Sequence, residues 1–92
     1  MTNVTRPLTG ADIVDALSEE IRLRYGGRGG LKAFTQEFGV DYHTYRRYIT
    51  HERKMSADLL MDSLTFLNVD PVAFFMQLRS RVEERGEGPT QG

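Results

Sequence analysis

The run Tyr42-His43-Thr44-Tyr45-Arg46-Arg47-Tyr48-Ile49 carries the side chains best suited to chemistry on a polar ligand. An arginine guanidinium can hold the O6 and N7 of a guanine through two parallel hydrogen bonds, worth roughly 1–3 kcal/mol of discrimination against another base. Helical spacing turns Tyr45, Tyr48 and Ile49 to one side, so Tyr42, His43, Arg46 and Arg47 emerge on the opposite faces. Tyr42, His43 and Arg47 are the candidate base readers, and Arg46 suits a base or a phosphate equally. Thr44 can donate to a phosphate or touch a thymine methyl. A second set offers charge and free backbone amides rather than base-edge geometry. Lys32 with the amides around Leu31, and Arg53 and Lys54 with the amides near Ser56, suit phosphate oxygens. Arg28, set among glycines, reaches a phosphate or a minor groove, or is plain surface.

Other chemistries fit the chain poorly. His43 and His51 stand eight positions apart with no cysteine and no convergent carboxylates, too few ligands for a metal ion. The stretch Gly26-Gly27-Arg28-Gly29-Gly30 lacks the following Lys-Ser/Thr of a phosphate loop and follows a helical pattern, not a strand. Without cysteine there is no disulfide, thiolate zinc site or thiol nucleophile. No spacing pairs a nucleophile with a base. Enzyme activity, a cofactor, a metal and a small-molecule ligand are therefore not expected.

Net charge is −1, which at first opposes a polyanionic partner. Its distribution points the other way. Residues 21–54 hold eight basic side chains (Arg22, Arg24, Arg28, Lys32, Arg46, Arg47, Arg53, Lys54) against three acidic ones (Glu37, Asp41, Glu52), a local net of +5. The remainder carries a net of −6. A basic face with an acidic back is the expectation, and the local field governs docking to a polyanion.

The elements that must position these groups read as helices throughout. With 92 residues the chain makes one domain, and 39% hydrophobic residues suit an ordinary globule. No apolar run reaches the roughly 20 residues that span a bilayer, and the N-terminus lacks signal-peptide features, so a cytoplasmic protein with no membrane partner is expected. Residues 1–8 read as a flexible arm, 9–84 as the folded domain and 85–92 as a disordered tail. Thr9 caps a first helix to about Tyr25, with Asp12 in the reciprocal position. The glycine run ends it and favours an unfixed backbone. A second helix covers residues 31–38 and Gly39 suits its left-handed end. Asp41 caps a third helix to about Thr50, and Ser56 caps a fourth carrying Leu59, Leu60, Leu64 and Leu67. Asn68-Val69-Asp70-Pro71 supplies a stop, a cap and a first-turn proline for a fifth helix over about 71–84.

Residues 31–67 resemble the lambda-repressor-like family of helix-turn-helix regulators, the XRE or Cro/C1 type. The resemblance rests on Phe34, Thr35, Gly39-Val40 and the capping Asp41, then on Thr44, Tyr45, Arg46-Arg47 and Tyr48, and on Arg53-Lys54-Met55-Ser56. The chain departs from that pattern at Leu31, where the family commonly carries Gln, at Thr35, at Tyr45 and in its long glycine link. The resemblance implies an all-α, five-helix domain that places residues 42–50 in a DNA major groove. A sequence-specific transcriptional regulator follows, phage Cro-like or immunity-repressor-like, cytoplasmic and nucleoid-associated in a bacterial host. Its partners would be a double-stranded DNA operator and a second copy of the chain. Val72, Phe75, Leu78 and Val82 can share a stripe on the last helix, with Phe74 beside it. Phe74, Phe75, Leu78 and Val82 are the expected dimer interface, unless Phe74 belongs to the core. The alternative function is a protein-binding helix-turn-helix module, such as an antitoxin or a regulatory adaptor.

Overall fold

The computed structural model describes residues 7–87, with side chains described through Val82. Five helices and no strand occur among the described residues: α1 (Gly10–Tyr25), α2 (Gly30–Phe38), α3 (Tyr42–Ile49), α4 (Ala57–Phe66) and α5 (Pro71–Glu87). Four of the five begin beside a short polar side chain that satisfies a free amide of the first turn. The Thr9 hydroxyl accepts from the Asp12 amide at 3.1 Å, and the Asp12 carboxylate accepts from the Thr9 amide at 3.0 Å. Asp41 accepts from the Thr44 amide at 2.9 Å, Ser56 from Leu59 at 3.1 Å, and Asp70 from Ala73 at 3.0 Å. α2 alone starts without a side-chain cap, on Gly29.

The glycine run between α1 and α2 is not a loose tether. Gly26 and Gly29 have φ of 91° and 73°, a left-handed region that costs other residues about 1–2 kcal/mol. A Cβ on Gly30 would lie 3.1 Å from both the carbonyl carbon and oxygen of Tyr25. Any larger residue at position 30 would press on the Tyr25 backbone, so glycine suits the close approach of the two helices.

The core gathers Leu17 and Ile21 of α1, Phe34 of α2, Tyr45 of α3, Leu64 of α4, and Phe74, Leu78 and Val82 of α5. Phe34 is its aromatic hub, with the rings of Tyr25, Phe38, Tyr45 and Phe66 centred 5.3–5.8 Å away. Two departures from the family pattern are accommodated by hydrogen bonds. Thr35 is fully buried and donates to the Lys32 carbonyl at 2.9 Å. Tyr45 is buried with its hydroxyl 2.7 Å from Ser63 Oγ.

Three expectations are corrected. Phe74, Leu78 and Val82, expected at a dimer interface, are 4%, 6% and 2% exposed and belong to the core, while Phe75 is half-buried against it. The physical reason is the bend of 105° between α4 and α5, which goes with α5 packing back on α1 through this stripe. α5 runs to Glu87 rather than about 84, so its last turns occupy part of the expected tail; residues 88–92 lie outside the described residues. Leu8 packs against the core, so the expected arm can comprise at most the residues before it, and residues 1–6 lie outside the described ones. Among the described residues no single helix is long and apolar enough to cross a membrane.

Candidate nucleic-acid interface

α3 is held by one face and open on the others. Tyr45 is 1% exposed and forms the inner anchor, with Tyr48 and Ile49 half-buried beside it. His43, Thr44, Arg46 and Arg47 are exposed and Tyr42 is half-buried. The Tyr42 and His43 rings meet edge to face, 5.2 Å between centroids, so each limits the other's rotamers. The expected base-reading set is thus grouped on one short helix.

Two polar side chains offered as backbone contacts differ in what they still have to give. Both the amide and the hydroxyl of Thr44 donate to Asp41 Oδ2 at 2.9 Å. In the free chain its hydroxyl hydrogen goes to that carboxylate, so a phosphate would have to compete with Asp41 for it. Those two bonds, backbone first, hold the Asp41 carboxyl below its ordinary range, and the charges of His43 and Arg47 add to the effect. Ser56 Oγ, by contrast, accepts from Leu59 and keeps its own hydrogen available.

Charge is better judged by commitment than by count. Arg22 pairs with Glu19 at 3.0 Å and Arg24 pairs with Glu20, so two of the eight cations of the basic segment are neutralised on α1. Arg28, Lys32, Arg46, Arg47, Arg53 and Lys54 are exposed, and no ion pair engages them among the described residues. Two of the three acids of the segment accept a hydrogen bond from a neutral donor. Glu37 accepts from the Tyr25 hydroxyl at 2.8 Å and Asp41 caps α3, whereas Glu52 lies 3.1 Å from a Thr50 hydroxyl whose single hydrogen is also within reach of the Arg46 carbonyl, at 3.0 Å. The bond to Glu37, then burial and the carboxylate charge, raises the Tyr25 phenol above its ordinary value.

The connection from α3 to α4 positions Arg53 and Lys54. His51 takes a left-handed φ of 68°, and the Glu52 and Arg53 amides then both donate to the Arg47 carbonyl, at 2.8 and 3.1 Å. His51 Nε2 lies 2.8 Å from Asp15 Oδ1, tying this turn to α1. Sequence reading weighed His51 only as a metal ligand, because no local spacing signals a partner 36 positions away. Arg53 and Lys54 share a groove with Tyr48 and His51, whereas no hydrogen bond or ion pair among the described residues joins Arg28 or Lys32 to that group. No group of three or more His, Cys, Asp or Glu among the described residues is placed to hold a metal ion.

No protein-family model, curated protein or solved structure matches the chain. The likeness to lambda-repressor-like regulators therefore rests on the residues quoted for it.

Proposed function

We propose that the chain is a sequence-specific double-stranded-DNA-binding transcriptional regulator of the phage Cro-like or immunity-repressor-like kind, cytoplasmic and acting at the nucleoid of a bacterial host. The supporting observation is the outward side of α3, where Arg46 and Arg47 stand exposed with no ion pair among the described residues. In this reading α3 enters the major groove. Tyr42, His43 and Arg47 read bases, Arg46 takes a base or a phosphate, and Lys32, Arg53, Lys54 and Ser56 hold the backbone. Arg28 adds a phosphate or minor-groove contact from its glycine loop. Two copies would read half-sites about 34 Å apart. The surface for pairing moves to Val72 and Met76 of α5, 65% and 68% exposed, because the stripe first expected there is core.

A protein-binding module is the second reading. Leu23 and Phe66, 71% and 41% exposed, favour it, since apolar groups beyond those needed for pairing would suit a protein partner.

Selection from random duplex DNA, followed by salt titration of the recovered site, separates the two. Six unpaired cations allow a log–log salt slope of up to about −5 per chain. A shared motif bound with a steep slope supports regulation through DNA. Absence of enrichment over background would reject it in favour of the protein partner.

A further inference from the structure

Between the first turn of α1, the end of α3 and the first turn of α4 lies an open groove of about 530 Å³. That volume falls in the range of about 300–1,000 Å³ typical of small-molecule sites. Ile13, Val14, Met55 and Leu60 give it an apolar lining, and the small side chains of Ala11 and Ala57 leave it unfilled. Arg53 and Lys54 line it as well, both exposed and unpaired among the described residues, and no carboxylate is among its lining residues. The third charged-capable group there, His51, is already engaged by Asp15.

We propose that this groove binds a small amphipathic anion, its hydrocarbon body on Ile13, Val14, Met55 and Leu60 and its carboxylate held by Arg53 and Lys54. No spacing in the sequence signals such a ligand; the juxtaposition arises only from the fold. Both halves of the ligand are needed. A bare anion gains nothing from the apolar lining, and a neutral hydrocarbon leaves the two cations unanswered. Because Arg53 and Lys54 are also the proposed phosphate contacts, a bound carboxylate would compete with DNA. That regulatory consequence rests on the DNA reading, whereas the binding itself does not.

The test uses the full chain without DNA. Anilinonaphthalene sulfonate serves as the fluorescent probe, displaced in turn by decanoate, decanol and decyltrimethylammonium. Decanoate is expected to displace it about tenfold more effectively than decanol, and the cation least of all. Ala11→Leu and Ala57→Leu, at exposed positions, should fill the groove and abolish probe binding with unchanged far-UV circular dichroism. Lys54→Gln combined with Arg53→Gln should erase the preference for carboxylate over alcohol while leaving the alcohol's affinity intact. Equal displacement by decanol and decanoate would overturn the proposal. So would undiminished probe binding in both leucine variants, which would place the probe elsewhere. A probe signal per chain that falls as protein concentration rises would mean that a second copy fills the groove, and would also overturn it. With a selected duplex added, decanoate should weaken DNA binding in the parent protein but not in Ala57→Leu. Decanoate binding as described, with no duplex bound under any condition, would reject the DNA reading alone.

Discussion

Replacing Tyr45 by Phe tests the contact that fixes α3 to α4. The Tyr45 hydroxyl lies 2.7 Å from Ser63 Oγ, and Ser63 Oγ donates to the Leu59 carbonyl at 2.8 Å. Ser63 has one hydrogen, so the order of donation is fixed: Tyr45 to Ser63, then Ser63 to Leu59. Tyr45→Phe removes a bond that Ser63 only accepts, at a cost of about 1 kcal/mol. Ser63→Ala instead leaves a buried phenol hydrogen with no acceptor, at a cost of about 1–3 kcal/mol. Each substitution deletes one hydroxyl, and Ser63→Ala is expected to be the more damaging.

The same phenol makes the comparison depend on pH. Burial pushes Tyr45 up to about 12 from an ordinary 10.0, against a smaller lowering by the Ser63 bond. A raised folded value means that the stability is fully present below the unfolded value and is lost as pH climbs from there to the folded one. Between pH 10 and 12 the parent protein should lose about 1.4 kcal/mol per unit, near 3 kcal/mol in all. Tyr45→Phe has no such loss. Its stability curve should lie below the parent at neutral pH and cross it at about pH 11, where the parent's loss overtakes the cost of about 1 kcal/mol. Tyr25, also raised, and the other tyrosines remain in both proteins and cancel. Urea denaturation followed by circular dichroism across this range gives the two curves. Parallel curves would refute the burial of the Tyr45 hydroxyl, whatever the size of the neutral-pH difference.

Gly30→Ala should destabilise the fold by about 1–3 kcal/mol in denaturant titrations, because its Cβ would press on the Tyr25 backbone at 3.1 Å, which cannot swing aside. Asp41→Asn should keep the α3 cap at neutral pH but flatten the acid limb of stability. The depressed Asp41 carboxyl contributes above its ordinary value and loses that contribution as pH falls through the folded one, readable as denaturation midpoints on the acid side. If the DNA reading holds, Arg53→Ala or Lys54→Ala should each lower the salt slope by about one unit across all sequences, while Arg22→Ala, already paired with Glu19, should leave it unchanged.

Helix boundaries were legible because their signals are local. The reciprocal Thr9–Asp12 cap, Gly39, Asp41, Ser56 and the Asn68–Pro71 stop all act within four residues, and each appears where the pattern places it. The register of α5 was not legible in the same way. A stripe through Val72 and Phe75 and one through Phe74, Leu78 and Val82 both satisfy helical spacing. Only the turn between α4 and α5 decides which one meets α1, and it leaves Val72 65% exposed. His51–Asp15 and Tyr45–Ser63 were hidden for a related reason. Their partners are 36 and 18 positions apart and belong to different helices or turns. The proposed base-reading set could be seen at once, since it depends on one helix with a known inner face.

What sequence counting could not supply was the state of each charge. A net of +5 over residues 21–54 includes Arg22 and Arg24, which the structure pairs with Glu19 and Glu20 from just outside that window. Counting alone would therefore overstate the field. The acids inside the window keep their charge, because a carboxylate that accepts from a neutral donor stays ionised, and Asp41 is held more firmly so. Glu37 accepts from a phenol and Asp41 from an amide and a hydroxyl, and among the described residues no ion pair joins Glu37, Asp41 or Glu52 to Arg46, Arg47, Arg53 or Lys54. A helix carrying two adjacent arginines commonly has carboxylates at neighbouring turns, where they form i,i+4 pairs and cover the charge. α3 has none: Asp41 lies at its start, bound to Thr44, and its remaining residues are Tyr, His, Thr, Arg and Ile. Arg46 and Arg47 therefore stand exposed without an ion pair among the described residues, with Arg47 feeling only the nearby Asp41 charge, and this is the charge that the proposed DNA contact would use.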